Sequence, residues 1–207
     1  MTKRRYDPEA ARQDILDAAE RLFADRGYGD VSTALIAREA GVSQSQIHYH
    51  YDTKRKLWQT VMHRRFSEYF GVQSSLLSRD DFEGTDRMRA SIEAYFRFFQ
   101  QNPNFAKLLV RAHLEIEDKE EPMSAALLST GAKVIAQAQK DGHLRDDVEP
   151  EFVLVGFLSL VAYWFQCRSR YLPDMGLAKP PESYDEPYLE FIFKVFLRGI
   201  EPLPDAS

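Results

Sequence analysis

The stretch that decides the fold runs from Ser32 to Leu57 and reads STALIAREAGVSQSQIHYHYDTKRKL. It contains two short helical segments separated at Gly41, a residue that can adopt the left-handed conformation of a tight turn. Ala37 is small enough for two helices to touch there, and Ile47 can bury the second helix against the first. This spacing predicts a helix-turn-helix, with an ordinary helix hairpin as the alternative.

Polar side chains follow the turn and suit contact with duplex DNA. Gln44, Ser45 and Gln46 lie in the first turn of the second helix, where short amides and hydroxyls can reach base edges in a major groove. The aromatic, imidazole and cationic residues that come next can donate hydrogen bonds to phosphate oxygens. The amides at the start of the following helix can do the same.

Residues 10–57 resemble the DNA-binding domain of the TetR family of regulators. The match runs from an amphipathic first helix with Phe23 and Gly27, through the turn, to Tyr51 and Leu57. The resemblance implies a dimer whose paired third helices enter successive major grooves. It implies base reading by Gln44, Ser45 and Gln46 and backbone contacts by other residues. The predicted DNA-binding residues are Ser32, Ser43, Gln44, Ser45, Gln46, His48, Tyr49, His50 and Lys54.

Two positions depart from the pattern of that family. His48 stands where the family usually has tyrosine, and Tyr51 stands where phenylalanine is usual. His48 can still donate to a phosphate, and its protonation would strengthen that contact, so we expect a modest dependence of DNA binding on pH. Tyr51 is expected to lie in the core.

Helical periodicity and helix-ending residues continue through the rest of the chain, without strand alternation or repeats. The predicted helices cover residues 8–26, 32–40, 43–49, 54–77, 87–101, 105–116, 125–140, 150–171 and 188–199, with a proline-rich loop over 173–187. We therefore predict an all-α protein of about nine helices. It comprises a three-helix DNA-binding domain over residues 1–52 and a larger helical domain for effector binding and dimerisation over residues 53–207.

Composition and charge agree with this division. Residues 1–64 carry 11 Lys and Arg against 9 Asp and Glu, whereas residues 65–207 carry 16 against 23. A mildly basic head on an acidic body suits a small DNA-binding unit joined to a sensing unit. The single cysteine, Cys167, excludes an intrachain disulfide and favours the cytoplasm. No uninterrupted apolar run reaches the ~18 residues of a membrane span, so no membrane partner or signal peptide is expected.

The second domain is predicted to bind a small apolar or aromatic effector. The resemblance implies that helices five to seven surround a ligand cavity, and this region is rich in aromatic residues at helical spacing. An ordinary core is the alternative for each of these residues, and His113 is the polar candidate among them. The predicted effector-binding residues are Phe66, Tyr95, Phe98, Phe99, Leu109, His113, Met123, Leu127 and Trp164.

The last two predicted helices are apolar around most of their circumference, which requires burial on several sides. The resemblance implies that they form a four-helix dimer interface, with the core of a monomer as the alternative. The predicted interface residues are Phe152, Val155, Phe157, Leu160, Trp164, Tyr188, Phe191, Ile192, Val195 and Phe196.

The sequence therefore predicts a ligand-responsive transcription repressor that binds a palindromic operator as a homodimer. A helical protein-interaction adaptor without an effector response is the alternative. An enzyme is not expected, because the chain has no glycine-rich phosphate loop and no nucleophile elbow. No metal or cofactor is expected, since His113 with Glu117 and the acidic cluster around His143 lack the spacing of a zinc site.

Overall fold

The computed structural model describes residues 7–77, 79, 82, 85–115 and 122–202, and this described part is helical and contains no strand. The elements are α1 (Pro8–Arg26), α2 (Thr33–Ala40), α3 (Gln44–Tyr51), α4 (Lys54–Leu77), α5 (Asp86–Gln101), α6 (Pro103–Glu115), α7 (Pro122–Lys140), α8 (Pro150–Asp174) and α9 (Asp185–Ile192). A 3₁₀ turn, Pro181–Tyr184, precedes α9, and a π-helical turn, Phe193–Leu197, follows it. The predicted all-α fold is confirmed.

The chain forms two compact units. The head comprises Met1–Phe66 with Lys107–Lys119, and the body comprises Ser67–Ala106 with Glu120–Ser207. The division falls within α4 and within α6, so each of these helices contributes residues to both units. The boundary predicted between residues 52 and 53 lies in the junction between α3 and α4 and stays a prediction.

Local sequence explains the helix ends in the head. The carboxylate of Asp7 accepts hydrogen bonds from the backbone N–H groups of Glu9 and Ala10 and so caps α1. The Ser32 hydroxyl accepts from the backbone N–H of Leu35 at the start of α2. Gly41 ends α2 with a φ of 68°, a conformation that favours glycine, and this produces the tight turn before α3.

An apolar core holds the three short helices of the head together. Phe23, Ile36, Ile47 and Leu57 are buried, and Leu108 of α6 belongs to the same cluster. Burying a side chain of this size stabilises the fold by about 1.5–3 kcal/mol. The recognition motif is therefore anchored on α1, α4 and part of α6 rather than standing alone.

A buried ion cluster joins α1 to α4 inside the head. The Glu20 carboxylate accepts from Arg65 Nη2 at 2.8 Å and from Arg65 Nε at 2.9 Å, and it also pairs with Arg64. Arg64 Nη1 donates to Asp17 at 2.6 Å. Because the Glu20 side chain is only 6% exposed, its charge depends on both guanidinium groups for compensation.

Aromatic rings fill the centre of the body. Tyr95 meets Phe99 edge to face with ring centroids 4.9 Å apart, and Phe99 lies 5.3 Å from Phe105. Phe98 contacts Phe105, and Phe157 of α8 meets the edge of Tyr95. Such pairs contribute about 0.5–1.5 kcal/mol each beyond their burial, so the cluster sets the packing of α5 against α8.

The segment between α8 and α9 is more helical than the sequence predicts. The loop expected over residues 173–187 begins only after Asp174, because α8 includes Pro173 in its last turn. The next helix begins at Asp185, and Pro187 lies in its first turn, where a proline's missing N–H removes no helical hydrogen bond. The number of prolines alone therefore overestimates the length of this loop.

A second buried carboxylate fixes the start of α9. Asp185 accepts from Trp164 Nε1 at 2.8 Å and from Gln100 Nε2 at 3.3 Å, and it pairs with Arg168. These partners come from α8 and α5, so one side chain ties α9 to two other helices of the body.

By length and composition, α8 is also apolar enough to cross a membrane. Long core helices of soluble proteins meet the same criterion. The expectation from the sequence rested on uninterrupted apolar runs. Helix α8 also contains polar residues, but its mean hydropathy is high enough to meet the criterion of length and composition. The absence of a membrane partner stays a prediction.

Candidate DNA-binding and effector sites

The first turn of α3 is a network of hydrogen bonds between its own polar side chains. Gln46 Oε1 accepts from the backbone N–H of Ser43 at 2.8 Å and from the Ser43 hydroxyl at 3.0 Å. The hydroxyls of Ser43 and Ser45 are 2.9 Å apart and share a further bond. The Gln46 contact with the Ser43 N–H is one half of a capping box, so this residue has a structural role as well as a predicted base-reading role.

Gln44 is held from the other side of the turn. Its Nε2 atom lies 2.9 Å from the hydroxyl oxygen of Thr33, the first residue of α2. Thr33 was not among the predicted site residues, because nothing in its local sequence distinguishes it from an ordinary helix start. The contact orients the Gln44 side chain across the turn before any DNA is bound.

Tyr49 is the most exposed aromatic residue of α3. Its side chain is 80% exposed, and its ring meets His50 edge to face with centroids 5.0 Å apart. A phenol in this position can donate to a phosphate or contact the apolar edge of a base. Ile47 and Tyr51, on the opposite face of the helix, are buried, as expected for Tyr51.

The His48 ring is fixed by the end of its own helix. Its Nδ1 atom lies 2.9 Å from the backbone oxygen of Asp52. A carbonyl oxygen only accepts hydrogen bonds, so Nδ1 carries the proton, and a neutral ring has an accepting Nε2. Donation from Nε2 to a phosphate would therefore need a ring that carries a proton on both nitrogens.

Asp52 forms the sharp junction between α3 and α4. It has φ 61° and ψ −63°, and the backbone N–H of Thr53 donates to the Tyr51 carbonyl at 2.6 Å, which closes a γ-turn. Positive φ is uncommon for a residue other than glycine, and this turn type is strained. The Tyr51 hydroxyl donates to the Arg12 carbonyl at 2.7 Å and so secures the junction against α1.

A shallow cleft beside α3 brings together the starts of two helices. Lys54, the first residue of α4, has its Nζ 4.2 Å from the centre of the Tyr28 ring and 3.5 Å from the Gly29 carbonyl. Helix-start amides and an ammonium group in one cleft suit a phosphate. The cleft includes three of the predicted DNA-binding residues, and its lining is Gly29, Asp30, Val31, Ser32, Thr33, His48, Asp52, Thr53 and Lys54.

The body contains a cavity of about 80 Å³ with two kinds of wall. Its polar groups come from α4 and α5, and its remaining lining is mostly apolar and comes mainly from α7 and α8. The lining residues are Tyr69, Gln73, Arg87, Met88, Ser91, Leu127, Leu128, Gly131, Val134, Ile135, Ala138, Leu144, Leu154, Phe157 and Leu158.

Hydrogen bonds order the polar wall of this cavity. Gln73 Nε2 donates to the Ser91 carbonyl at 3.1 Å, and the Gln73 side chain also bonds to the Tyr69 hydroxyl. Burial raises the pKa of Tyr69 well above its usual value, so the phenol stays neutral at physiological pH.

The predicted effector residues are distributed over several places, and Leu127 is the one that the structure places on this cavity. Tyr95, Phe98 and Phe99 belong to the aromatic cluster of the body. Phe66 and Leu109 pack against the core of the head. Trp164 stacks on Tyr188 with centroids 4.0 Å apart. The side chains of His113 and Met123 lie outside the described part of the structure.

The predicted dimer residues comprise an apolar strip on α8, α9 and the π-helical turn after α9, together with two buried positions. Phe152, Val155, Phe191 and Val195 are between 44% and 69% exposed. The partly exposed members are Leu160, Trp164, Tyr188 and Phe196. By contrast, Phe157 faces the body's own aromatic cluster, and Ile192 is fully buried in the body. Tyr163, which was not predicted, extends the exposed strip.

The described residues contain no group of three His, Cys, Asp or Glu side chains placed to hold a metal ion. The sequence offered two sets of possible metal ligands. In the cluster around His143, Asp147 pairs with Arg145, and this pair lowers the pKa of the Asp147 carboxyl. Glu117 and the His113 side chain lie outside the described residues.

Two family models match the chain. Residues 15–61 match "Bacterial regulatory proteins, tetR family", and residues 90–181 match "Tetracyclin repressor-like, C-terminal domain". The first match covers the helix-turn-helix and the beginning of α4. The second runs from α5 to the segment before α9.

Similar proteins include two mycobacterial regulators. The HTH-type transcriptional activator FasR of Mycolicibacterium smegmatis is 29% identical over 143 residues, which cover 69% of this chain and 63% of FasR. An HTH-type transcriptional regulator of Mycobacterium tuberculosis is 32% identical over 98 residues, which cover 47% of this chain and 48% of that protein. The chain thus spans between about half and two thirds of the length of these relatives.

The fold is also found in solved structures. The ketosteroid transcriptional regulator KstR2 of Mycobacterium tuberculosis superposes with a TM-score of 0.73 at 16% sequence identity, covering 93% of this chain and 95% of that one. The relatives and the fold are those of transcription regulators and not of enzymes. With the helix-turn-helix and both family matches in place, this chain belongs to the TetR family of transcriptional regulators.

Proposed function

We propose that this protein is a ligand-responsive transcription repressor. It binds a palindromic operator as a homodimer and changes its DNA affinity when a small apolar or aromatic effector enters the body. The observation that carries this proposal is the start of α3, where four consecutive polar residues are ordered by hydrogen bonds beside a shallow cleft lined by two helix starts and Lys54. The single cysteine supports a cytoplasmic location.

The apolar strip on α8, α9 and the π-helical turn after α9 supports dimerisation. Large apolar side chains exposed side by side mark an interaction surface in a soluble protein. Phe191, Val195 and Phe196 also line a groove with Leu160, which a side chain of a second copy would fill. A symmetric pair presents two heads, which a palindromic operator requires.

The body cavity supports effector binding. It has an apolar wall from α7 and α8 and a polar wall that includes Tyr69 and Gln73 of α4. Apolar pockets with a few ordered polar groups are typical of small-molecule sites. An effector that contacts Tyr69 and Gln73 acts on the helix whose first half belongs to the head.

The response follows from the shared helices. The two recognition helices of a dimer read half-sites about 34–36 Å apart, one turn of DNA. An effector that favours a different position of α4 changes this separation and so weakens operator binding. It does so only by the difference between its affinities for the two states.

The first experiment is selection of operator sequences from random duplex DNA by the purified protein. A Gln44→Ala/Tyr49→Ala double variant, altered only on the exposed face of α3, is the matched control. We expect the wild type to enrich a palindrome with salt-steep affinity and the variant to fail. A wild type that enriches nothing, or binds without salt dependence, would contradict DNA recognition and favour the adaptor.

The second experiment tests the cavity with indole as an aromatic probe. Val134→Phe fills the cavity, whereas Val72→Phe places the same ring on an exposed part of α4. We expect Val134→Phe to weaken indole binding by about tenfold, an energy of ~1.4 kcal/mol, in calorimetry. Val72→Phe should bind like the wild type. Equal behaviour of the two variants would place the effector elsewhere.

The sign of regulation is tested separately, because FasR is described as an activator. A reporter gene placed behind the selected operator should be less active when this protein is present. Higher reporter activity would replace repression with activation and leave the DNA-binding proposal intact.

A further inference from the structure

We infer that Gln46 reads the operator as a hydrogen-bond donor only and selects guanine at its position in each half-site. The inference rests on the proposed operator binding and adds the polarity of one contact. It starts from the geometry of the Gln46 side chain, whose Oε1 already accepts two hydrogen bonds from Ser43, one from the backbone N–H and one from the hydroxyl.

The orientation of this amide follows from the chemistry of its partner. Oxygen and nitrogen ends of a glutamine are usually distinguished only by their hydrogen bonds. A backbone N–H can only donate, so the atom 2.8 Å from the Ser43 nitrogen must be the oxygen. The end left for DNA is therefore Nε2, which has two N–H donors and no acceptor.

The major-groove edges of the bases respond differently to a donor. Guanine presents two acceptors, N7 and O6, and can receive both N–H groups. Adenine places a donor beside its single acceptor, and cytosine presents a donor. Glutamine usually pairs with adenine through one donor and one acceptor, and the bond to Ser43 removes that option from Gln46. Thymine, with one acceptor, is the second choice.

Gln44 provides the contrast within the same turn. Its amide is bonded to the hydroxyl of Thr33, a group that can donate or accept. Gln44 therefore keeps both polarities available to a base edge. The two glutamines of this helix turn can therefore bind different base edges, because Gln46 is bonded to Ser43 and Gln44 to Thr33.

The test is operator selection with Gln46→Glu beside the wild type. Glutamate keeps the oxygen that accepts from Ser43, since glutamate and glutamine serve equally in a capping box. It replaces the outward nitrogen by an oxygen, which accepts from the N4 amino group of cytosine. Gln44→Glu introduces the same charge in the same turn and controls for the general weakening of phosphate binding.

We expect the wild type to prefer guanine at one position of each half-site by about tenfold or more. Gln46→Glu should change that position to cytosine, and Gln44→Glu should leave it as guanine. Adenine at this position in the wild type, or guanine retained by Gln46→Glu, would overturn the inference. The proposed function would still stand in either case, provided that the wild type enriches a palindrome. If the wild type enriches no palindrome, both the proposed function and this inference fail.

Discussion

The head and the body each contain a buried ion cluster, around Glu20 and Asp185 respectively, but they differ in what packs around it. The head combines a closed apolar core with a buried ion cluster around Glu20 and with side-chain hydrogen bonds over three or four residues of sequence. The body is packed by aromatic rings, encloses a cavity of about 80 Å³ and exposes an apolar strip. Under the proposed function the difference separates two tasks: the surface proposed to read DNA is ordered beforehand, and the unit proposed to bind an effector keeps free volume.

This contrast has an energetic basis. Directional bonds and paired charges allow one arrangement, and losing one partner leaves the other uncompensated. Packed rings around a cavity tolerate a change of contents at smaller cost, because no buried polar group on the apolar wall loses its bond. The following measurements test the contrast, beginning with the largest expected effect.

Removing the carboxylate at the centre of the head should be the most damaging change. Glu20→Ala leaves Arg64 and Arg65 partly buried without their shared partner, and we expect a loss of about 3–5 kcal/mol in the free energy of unfolding. Denaturant unfolding followed by circular dichroism measures it. Glu9→Ala is the control, because its pair with Arg12 is exposed and should change stability by less than about 0.5 kcal/mol. A loss below ~1 kcal/mol for Glu20→Ala would show that the cluster does not hold α1 to α4.

The body should be the unit more sensitive to alkali. Burial raises the pKa values of Tyr69 and Tyr95 above the ordinary value of 10.0. The folded state then holds these protons more tightly than the unfolded state, so the stabilisation is fully present below about pH 10 and is lost as pH rises through the folded-state pKa values. We expect the free energy of unfolding to fall by up to about 1.4 kcal/mol per pH unit for each phenol above pH 10.

A Tyr69→Phe/Tyr95→Phe double variant is the matched control for this pH dependence. It should lose most of the alkaline slope and retain only the contribution of less buried phenols such as Tyr51, whose pKa is also raised by burial. Unfolding curves at several pH values, together with the absorbance of tyrosinate, provide the measurement. An unchanged slope in the double variant would assign the alkaline sensitivity to other groups.

A single directional bond in the head should have an intermediate effect. Tyr51→Phe removes the hydroxyl that donates to the Arg12 carbonyl and leaves the ring in place. We expect a loss of about 1 kcal/mol in thermal or denaturant unfolding, the usual value of such a bond. Tyr171→Phe, whose hydroxyl bond to Tyr163 is exposed, should lose less. Equal losses would remove the distinction between buried and exposed bonds.

The smallest effect should be a gain. Asp52→Gly relieves the positive φ between α3 and α4, and we expect stabilisation by about 0.5 kcal/mol after the greater flexibility of glycine in the unfolded chain is included. Asp30→Gly, in an exposed loop with ordinary φ, should be neutral or slightly destabilising. Destabilisation by Asp52→Gly would mean that the interactions of the Asp52 side chain stabilise the fold by more than its backbone strain destabilises it.

The sequence predicted the head well because its structure depends on near neighbours. Ala37, Gly41 and Ile47 lie within one helical hairpin, and their spacing alone sets the turn. The bond from Gln46 to Ser43 spans three residues and is a standard helix start. By contrast, Thr33 reaches Gln44 across eleven positions, and no local pattern indicates that contact.

The cavity could not be located from the sequence for a physical reason. Periodicity identifies the apolar face of a helix but not which part of it meets a neighbouring ring and which part borders a gap. Phe98 and Phe99 lie away from this cavity, because they close on Phe105 and fill the space between helices. Their predicted contact with an effector stays a prediction. The gap remains further along, beside Val134 and Leu154, where smaller side chains meet. A difference in side-chain volume of a few methyl groups decides whether neighbouring helices close on each other or leave a cavity.

The hydrogen bond between Gln46 and Ser43 also has an evolutionary consequence. One side chain serves the beginning of a helix and, under the proposed function, also the surface that faces DNA. Most substitutions of Gln46 would alter the helix start and the DNA-facing surface together. Only the exchange of glutamine for glutamate keeps the helix start while altering the surface. New operators should therefore arise among related regulators by drift at Gln44 and Tyr49, whose side chains contribute less to the fold, while residue 46 alternates between two amino acids.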